Sequence, residues 1–150
     1  MKITLLYSEL LFDITNKNRS EVALLDPAVR YRAEVGSDKG EEVRRCLLDS
    51  LSTLTATYSR FLREAEVLPV DNQSFVPDKI EIDIYGSERR LAGKMPAIVD
   101  CMHSLLVNMT LSLFYRSVGQ GDLSTSRDNL GAVYLQLLKK LLYSKMPPIC

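Results

Sequence analysis

Apolar residues recur at the spacing of an α-helix near the end of the chain. From Leu130 they follow the steps i, i+3, i+4, i+7, i+8, i+11 and i+12, which places all of them on one helical face. The positions are Leu130, Val133, Tyr134, Leu137, Leu138, Leu141 and Leu142. The pattern predicts a helix over about 127–145, capped by Ser124 or Ser126 and ended by Pro147-Pro148. We expect Leu137 to lie in the core.

A second long apolar stripe lies between residues 40 and 66. Its positions are separated by 4, 4, 3, 4, 3 and 4 residues, a spacing that lets a helix pack along a neighbour for several turns. They are Val43, Leu47, Leu51, Leu54, Tyr58, Phe61 and Ala65. The stripe predicts a single helix over 40–66. A coiled-coil dimer is an alternative, but the stripe spans under four heptads, so packing within the chain is favoured.

Residues 79–85 change to a period of two, with the sequence Lys79-Ile80-Glu81-Ile82-Asp83-Ile84-Tyr85. This alternation predicts a half-buried β-strand whose three Ile side chains face inward, while Glu81 and Asp83 face outward. The nearest candidate partner is the segment Glu66–Val70, so we expect a β-hairpin. An isolated hairpin is only marginally stable in water. It must therefore pack on the helices or extend across a subunit boundary.

Helical spacing also marks the N-terminal residues. Apolar side chains at Ile3, Leu6, Tyr7, Leu10, Leu11 and Ile14 predict a short amphipathic helix over 3–14. The polar run 15–20 is expected to end this helix. A brief second helix is expected to start at Asp26-Pro27, because Asp is a good N-cap and Pro suits the first helical position.

A long helix with a wide apolar face is predicted to follow the strand. It begins between Ser87 and Pro96 and ends at Gly119-Gln120-Gly121, a turn short enough to make it antiparallel to the last helix. The resulting fold class is mainly α. We expect a single domain over 1–150, with a bundle of about four to five helices and a small β-hairpin that has a strand near 79–85.

The composition narrows the class of protein. The chain has 150 residues and is 46% hydrophobic, which is typical of a globular domain, and its 19 basic and 19 acidic residues give no basic excess for nucleic-acid binding. Its longest apolar run, Leu105–Tyr115, has eleven residues where a bilayer needs about 20. Cys46, Cys101 and Cys150 stand singly, as reduced thiols do. We expect no membrane span, no metal, no cofactor and no sequence-specific nucleic-acid partner.

Two groups of residues are candidates for chemistry. Histidine is the side chain type whose unperturbed pKa lies near neutrality, which makes His103 a candidate, but a nucleophilic arrangement with Asp100 or Cys101 would have to be assembled by the fold. Glu81 and Asp83 lie about 7 Å apart on one strand face, a spacing that a hard cation or glycosidase chemistry could use. A packed or surface histidine and an ordinary solvated strand face are the favoured interpretations, so no catalytic residue is assigned.

The order of the elements resembles that of small tailed-phage and prophage structural proteins. A short helix precedes the long one that contains Glu42–Leu51, an extended segment follows, and a helix pair contains His103–Asn108 and Leu113–Tyr115. The resemblance is to head–tail connector (adaptor) proteins of Bacteroidetes-type elements. It implies a non-enzymatic subunit that forms a ring-like homo-oligomer beneath the portal and binds portal and tail proteins. The implied location is the virion, or the bacterial cytoplasm during assembly.

Charge is unevenly distributed along the chain in a way that suits such a ring. Residues 64–83 contain six acids and one Lys, a balance of −5, whereas 127–150 have a balance of +3. A head-to-tail ring needs two different and complementary patches on each subunit. The candidate subunit contacts are Glu66, Asp78, Glu81, Asp83, Lys139, Lys140 and Lys145. We expect assembly to weaken with salt.

Two other function classes remain open. One is a cytosolic helical interaction or regulatory module with an exposed groove between helices 97–118 and 127–145. The other is a small hydrolase or nuclease that uses Glu81, Asp83 or His103. The enzyme would require those three side chains to cluster around one pocket.

Overall fold

The computed structural model describes residues 2–62, 66–68, 79–86 and 88–143, and these form a helical domain with one small antiparallel sheet. The helices are α1 (Tyr7–Val22), α2 (Pro27–Ala33), α3 (Gly40–Thr57), α4 (Glu88–Leu91), α5 (Met95–Ser117) and α6 (Gly121–Tyr143). The strands are β1 (Lys2–Leu6), β2 (Glu66–Leu68) and β3 (Lys79–Asp83). The predicted fold class, mainly α with a small hairpin, is confirmed.

The sheet has the order β1-β3-β2, with both neighbours antiparallel to β3. The β2–β3 pair is the predicted hairpin, and Ile80, Ile82 and Ile84 are buried as their alternation indicates. On the other edge, β1 pairs with β3 in a register that sets Ile3 opposite Ile82. A third strand from the same chain therefore supports the hairpin, which packs within the chain.

The N-terminal prediction was wrong in two respects. Residues 2–6 form β1, because Ile3 and Leu5 point into the core and β3 satisfies the backbone hydrogen bonds of this segment. Helix α1 then starts at Tyr7 and continues through the polar run 15–20 to Val22. The run does not break the helix because Asn18 faces inward, where its amide donates to the carbonyl of Ala33 and accepts from the N–H of Val35.

Helix α3 has the predicted face but a shorter length. Val43, Leu47, Leu51, Leu54 and Tyr58 are buried along it, yet the helix ends at Thr57 and not at residue 66. The N–H groups of Phe61 and Leu62 both bond to the carbonyl of Tyr58, which closes a turn. Leu62 then forms a β-bridge with Ile84, so pairing with the sheet replaces the final helical turns. Ala65 lies outside the described residues.

Helix α5 is the central helix and packs against α1, α3 and α6. It begins at Met95 with Pro96 in its first turn, and the short helix α4 precedes it. By length and composition it could cross a membrane, the one such helix in the described part of the chain, but 61% of its most apolar window is buried within the fold. Its apolar surface is therefore accounted for by its position in the core.

Helices α5 and α6 form the predicted antiparallel pair. Gly119 turns the chain with a φ of +78°, a conformation that favours glycine. Contacts then run in opposite directions along the two helices, from Ser112 with Ser124 to Cys101 with Tyr134. Because α6 already begins at Gly121, neither Ser124 nor Ser126 caps it.

The predicted core face of α6 was partly wrong. Leu138 and Leu142 are fully buried, whereas Leu130, Val133 and Leu137 are 47%, 64% and 45% exposed. The residues that α6 turns toward α5 include the small Ser124 and Gly131, which permit close approach of the helices. The apolar stripe of α6 is thus wider than the strip that α5 covers, and its outer edge faces solvent. We call Leu130, Val133 and Leu137 the α6 outer stripe.

Candidate functional site

A surface pocket of about 410 Å³ lies between α1 and α5 and contains the only histidine of the chain. Its described lining residues are Ser8, Glu9, Phe12, Asp13, Asp100 and His103. Residues 8–13 belong to the first turns of α1, and the other two to the N-terminal half of α5. The pocket is open and is lined by three carboxyl groups.

His103 is held in this pocket by a carboxylate. Its Nε2 lies 2.5 Å from Oδ2 of Asp13, which is the one side chain in the described ranges that hydrogen-bonds the imidazole. Asp100 lines the same pocket, but Cys101 points to the opposite side of α5, where its thiol donates to the carbonyl of Tyr134. The fold therefore separates Cys101 from His103, and these two residues do not form a nucleophilic pair.

The other predicted carboxylates lie elsewhere. Glu81 and Asp83 are on β3, and Glu81 lies 3.9 Å from the ammonium of Lys2 on β1. Neither of them lines the pocket that holds His103. The cluster required by the hydrolase or nuclease interpretation is thus not formed. Within the described ranges, no three His, Cys, Asp or Glu side chains come close enough to hold a metal ion.

A buried polar network joins α1 to α6 and was not predicted from the sequence. The guanidinium of Arg127 donates to Oε1 of Glu21, from Nε at 2.8 Å and from Nη2 at 2.5 Å. Its Nη1 donates to the side-chain oxygen of Asn108 at 2.9 Å. Tyr115 donates to the same Glu21 oxygen and accepts from Asn18. Asn18, Glu21 and Arg127 are of types that usually lie on the surface. Asn108 and Tyr115 lie in the apolar run 105–115, and this run was the sequence signal for their burial.

Burial changes the acidity of several groups. It raises the pKa of Tyr115 far above its ordinary value of 10, and the negative charge of Glu21 adds to the shift. Burial also raises the pKa of the Cys46 and Cys101 thiols above 9. Both thiols are free, as predicted, and a raised pKa makes them weak nucleophiles at neutral pH. Cys150 lies outside the described residues.

The predicted subunit contacts are only partly described. The structure places Glu66 on β2 opposite Glu81 in the sheet register, and Glu81 has its Lys2 partner within the same chain. Lys139 and Lys140 are exposed on α6. Asp78 and Lys145 lie outside the described residues. Arg127, which contributes to the predicted basic balance, is buried against Glu21 and adds no surface charge.

The α6 outer stripe is an exposed apolar feature of the described helices. Its three side chains are separated by three and four residues, so they lie along one line of the helix. The charged residues between 129 and 143 are Lys139 and Lys140, and both are exposed. Lys140 lines the same surface groove as Val133 and Leu137, so the stripe has one positive group at its end.

A smaller groove lies between α3, α5 and α6. It has a volume of about 200 Å³, and its apolar walls come from Leu105 and Met109 of α5 and from Ala132 and Leu135 of α6. Gly131 lies in its floor. Pockets for small molecules usually have volumes of about 300–1,000 Å³. The groove therefore suits one apolar side chain of a partner better than a substrate.

Comparison of the chain with protein-family models, curated proteins and solved structures gives no match, so the features above are interpreted from their own geometry.

Proposed function

We propose that the protein is a non-enzymatic structural subunit that associates with copies of itself and with other virion proteins. The observation that carries this proposal is the α6 outer stripe, whose three apolar side chains are each about half exposed or more. Contiguous apolar surface rimmed by polar residues is typical of protein–protein contact sites. In a monomer such a stripe would stay in contact with water.

The resemblance of the element order to phage and prophage head–tail connectors gives this association a specific setting. In that setting the subunits form a ring between the portal and the tail and bind proteins of both. The chain would then reside in the virion, or in the bacterial cytoplasm during assembly. The pocket around His103 is compatible with this role, since the Asp13–His103 pair joins α1 to α5 as a structural contact.

Two measurements test the proposal together. Light scattering of the purified protein gives its mass as a function of concentration. Mass spectrometry and electron microscopy of purified phage particles show whether the particles contain the protein and whether it lies at the neck. We expect a multiple of the 16.9 kDa subunit mass and a fixed copy number in particles. A protein that is absent from particles whose other neck components are detected would contradict the proposal.

The groove between α3, α5 and α6 supports a second candidate, the cytosolic interaction module. It lies between α5 and α6, the helices that are expected from the sequence to form the groove of such a module, and its lining is mainly apolar. Ala132→Phe would fill it from the exposed side without altering a buried residue. A single host protein that binds the wild type and not Ala132→Phe would favour this candidate over the connector.

A further inference from the structure

We propose that the α6 outer stripe binds the outer face of α1 in a second copy of this chain, with Phe12 as the apolar anchor. This inference rests on the proposed function, because it names the two surfaces through which the subunits associate. In this contact the acidic surface that faces the basic last helix is on α1, and not on the hairpin that the charge distribution of the sequence suggested. The two surfaces differ, so the contact is head-to-tail.

The first surface is the α6 outer stripe with its basic end. Leu130 and Leu137 are seven residues apart, which is about 10 Å along a helix. Three residues after Leu137, the exposed ammonium group of Lys140 lies on the same side of the helix, whereas Lys139 faces another side. Lys140 has no ion-pair partner among the residues that the structure describes. A ligand for this face should therefore combine an apolar side chain with negative charge.

The second surface has that combination. Phe12 is 66% exposed on α1. It lies at the 410 Å³ pocket whose charged groups are Glu9, Asp13 and Asp100. Asp13 is engaged by His103, whereas Glu9 and Asp100 are exposed and have no ion-pair partner within the described ranges. This surface is an apolar anchor surrounded by acidic groups.

Charge complementarity selects this occupant over a symmetric contact between two α6 helices. In the symmetric contact two stripes would meet, and the acid on the same side of α6, Asp122, lies eight residues before Leu130 and therefore beyond the stripe, so Lys140 would face no acid within the other stripe. The head-to-tail contact instead brings Lys140 toward Glu9 and Asp100. Opposite charges at the edge of an apolar contact fix its register and suppress wrong pairings. Repetition of one head-to-tail contact generates a closed ring or a filament.

Charge reversal on each surface tests the inference. The acidic-surface variant is Glu9→Lys with Asp100→Lys, and the basic-surface variant is Lys140→Glu. All three residues are exposed, and Asp13 and His103 are left intact, so the fold should be retained. Sedimentation velocity of the full chain measures association. We expect each variant alone to associate at least about tenfold more weakly than the wild type, since each creates like-charge contacts.

An equimolar mixture of the two variants is the decisive sample. Each contact in an alternating assembly then joins opposite charges again, so the mixture should regain association that neither variant shows alone. Phe12→Ala should weaken association at least about tenfold, whereas Leu24→Ala, which truncates a 95% exposed leucine at another place, is the matched control and should have no effect.

The outcomes separate this inference from the proposed function. The inference is overturned if the acidic-surface variant and Phe12→Ala associate as well as the wild type does. The proposed structural role would be unaffected by that result. A mixture that fails to recover association also overturns the inference, as does a wild type that remains monomeric. The structural role itself fails only on the independent test of particle composition.

Discussion

Truncation of Leu138 should destabilise the fold by several times as much as truncation of its neighbour Leu137. Leu138 is 0% exposed and faces α5, whereas Leu137 is 45% exposed on the α6 outer stripe. A buried Leu→Ala change removes the transfer free energy of the side chain and leaves a cavity, at a cost of about 2–5 kcal/mol. A side chain that is half exposed in the native state loses about half of the transfer term and leaves no closed cavity, which is about 1 kcal/mol.

The pair is matched because both variants make the same chemical change in adjacent positions of one helix. Helix propensity changes equally in both, so it cancels in the difference. For a domain of this size, 1 kcal/mol shifts the melting temperature by about 2–4 °C. We therefore expect Leu138→Ala to lower the melting temperature by about 4 °C or more and Leu137→Ala by no more than about 4 °C.

The assay is urea unfolding followed by far-UV circular dichroism, at a protein concentration where the wild type is monomeric. That condition matters because association would stabilise the folded state by mass action and would make Leu137→Ala look destabilising. An equal loss in the two variants, or a larger loss for Leu137→Ala, would refute the assignment of the α6 faces. Association at higher concentration should instead be lost in Leu137→Ala.

Three further changes test the interior of the fold. Arg127→Met leaves the Glu21 side chain, which is 18% exposed, without its ion-pair partner and should cost about 3 kcal/mol in urea unfolding. Tyr115 has a folded-state pKa raised above 10, so its contribution to stability is complete below pH 10 and is lost as the pH rises beyond it. Tyr115→Phe should flatten that alkaline loss of stability, measured as the free energy of unfolding in urea from about pH 8 to 11. Gly131→Ala should raise the stability by about 1 kcal/mol, since the added Cβ meets ordinary contacts at 3.9 and 4.0 Å and Ala is the better helix former. A melting temperature below that of the wild type would show that α5 and α6 are too close to accommodate the added methyl group.

The parts of the fold that follow from local periodicity were predictable. The period-two alternation of residues 79–85 fits a β-strand with one buried face, and β3 is found there. Helix positions on α5 and α6 were also predicted, because steps of three and four over many turns admit no other regular element. The N-terminal residues were harder, since Ile3 and Leu5 fit a strand as well as Ile3 and Tyr7 fit a helix. The pairing with β3, which lies about 80 residues away, decides between them.

Helix faces were less predictable than helix positions. The apolar residues of a helix are those that prefer burial, but the position of the neighbouring helix determines which of them are covered. On α6 the covered strip follows Gly131 and Arg127, a glycine and a charged residue that hydrophobic patterning ignores. The candidate site escaped prediction for the same reason. His103 meets Asp13 across 90 residues of sequence, and only the packing of α1 on α5 brings them together.

The buried ion pair between Glu21 and Arg127 connects the two helices that carry the proposed contact surfaces. A buried pair of this kind seldom adds stability, because apolar residues of similar size avoid its desolvation cost. It does impose a geometry, since the guanidinium must reach one carboxylate oxygen and Asn108 at once. We expect that geometry to hold the angle between the α1 and α6 surfaces, and in a head-to-tail assembly the angle sets how many subunits close a ring. We therefore expect the double variant Glu21→Leu with Arg127→Met to stay within about 1–2 kcal/mol of the wild-type stability while its assemblies spread over several subunit numbers. Native mass spectrometry measures that distribution, and a double variant with a single, unchanged subunit number would show that the ion pair does not control the angle.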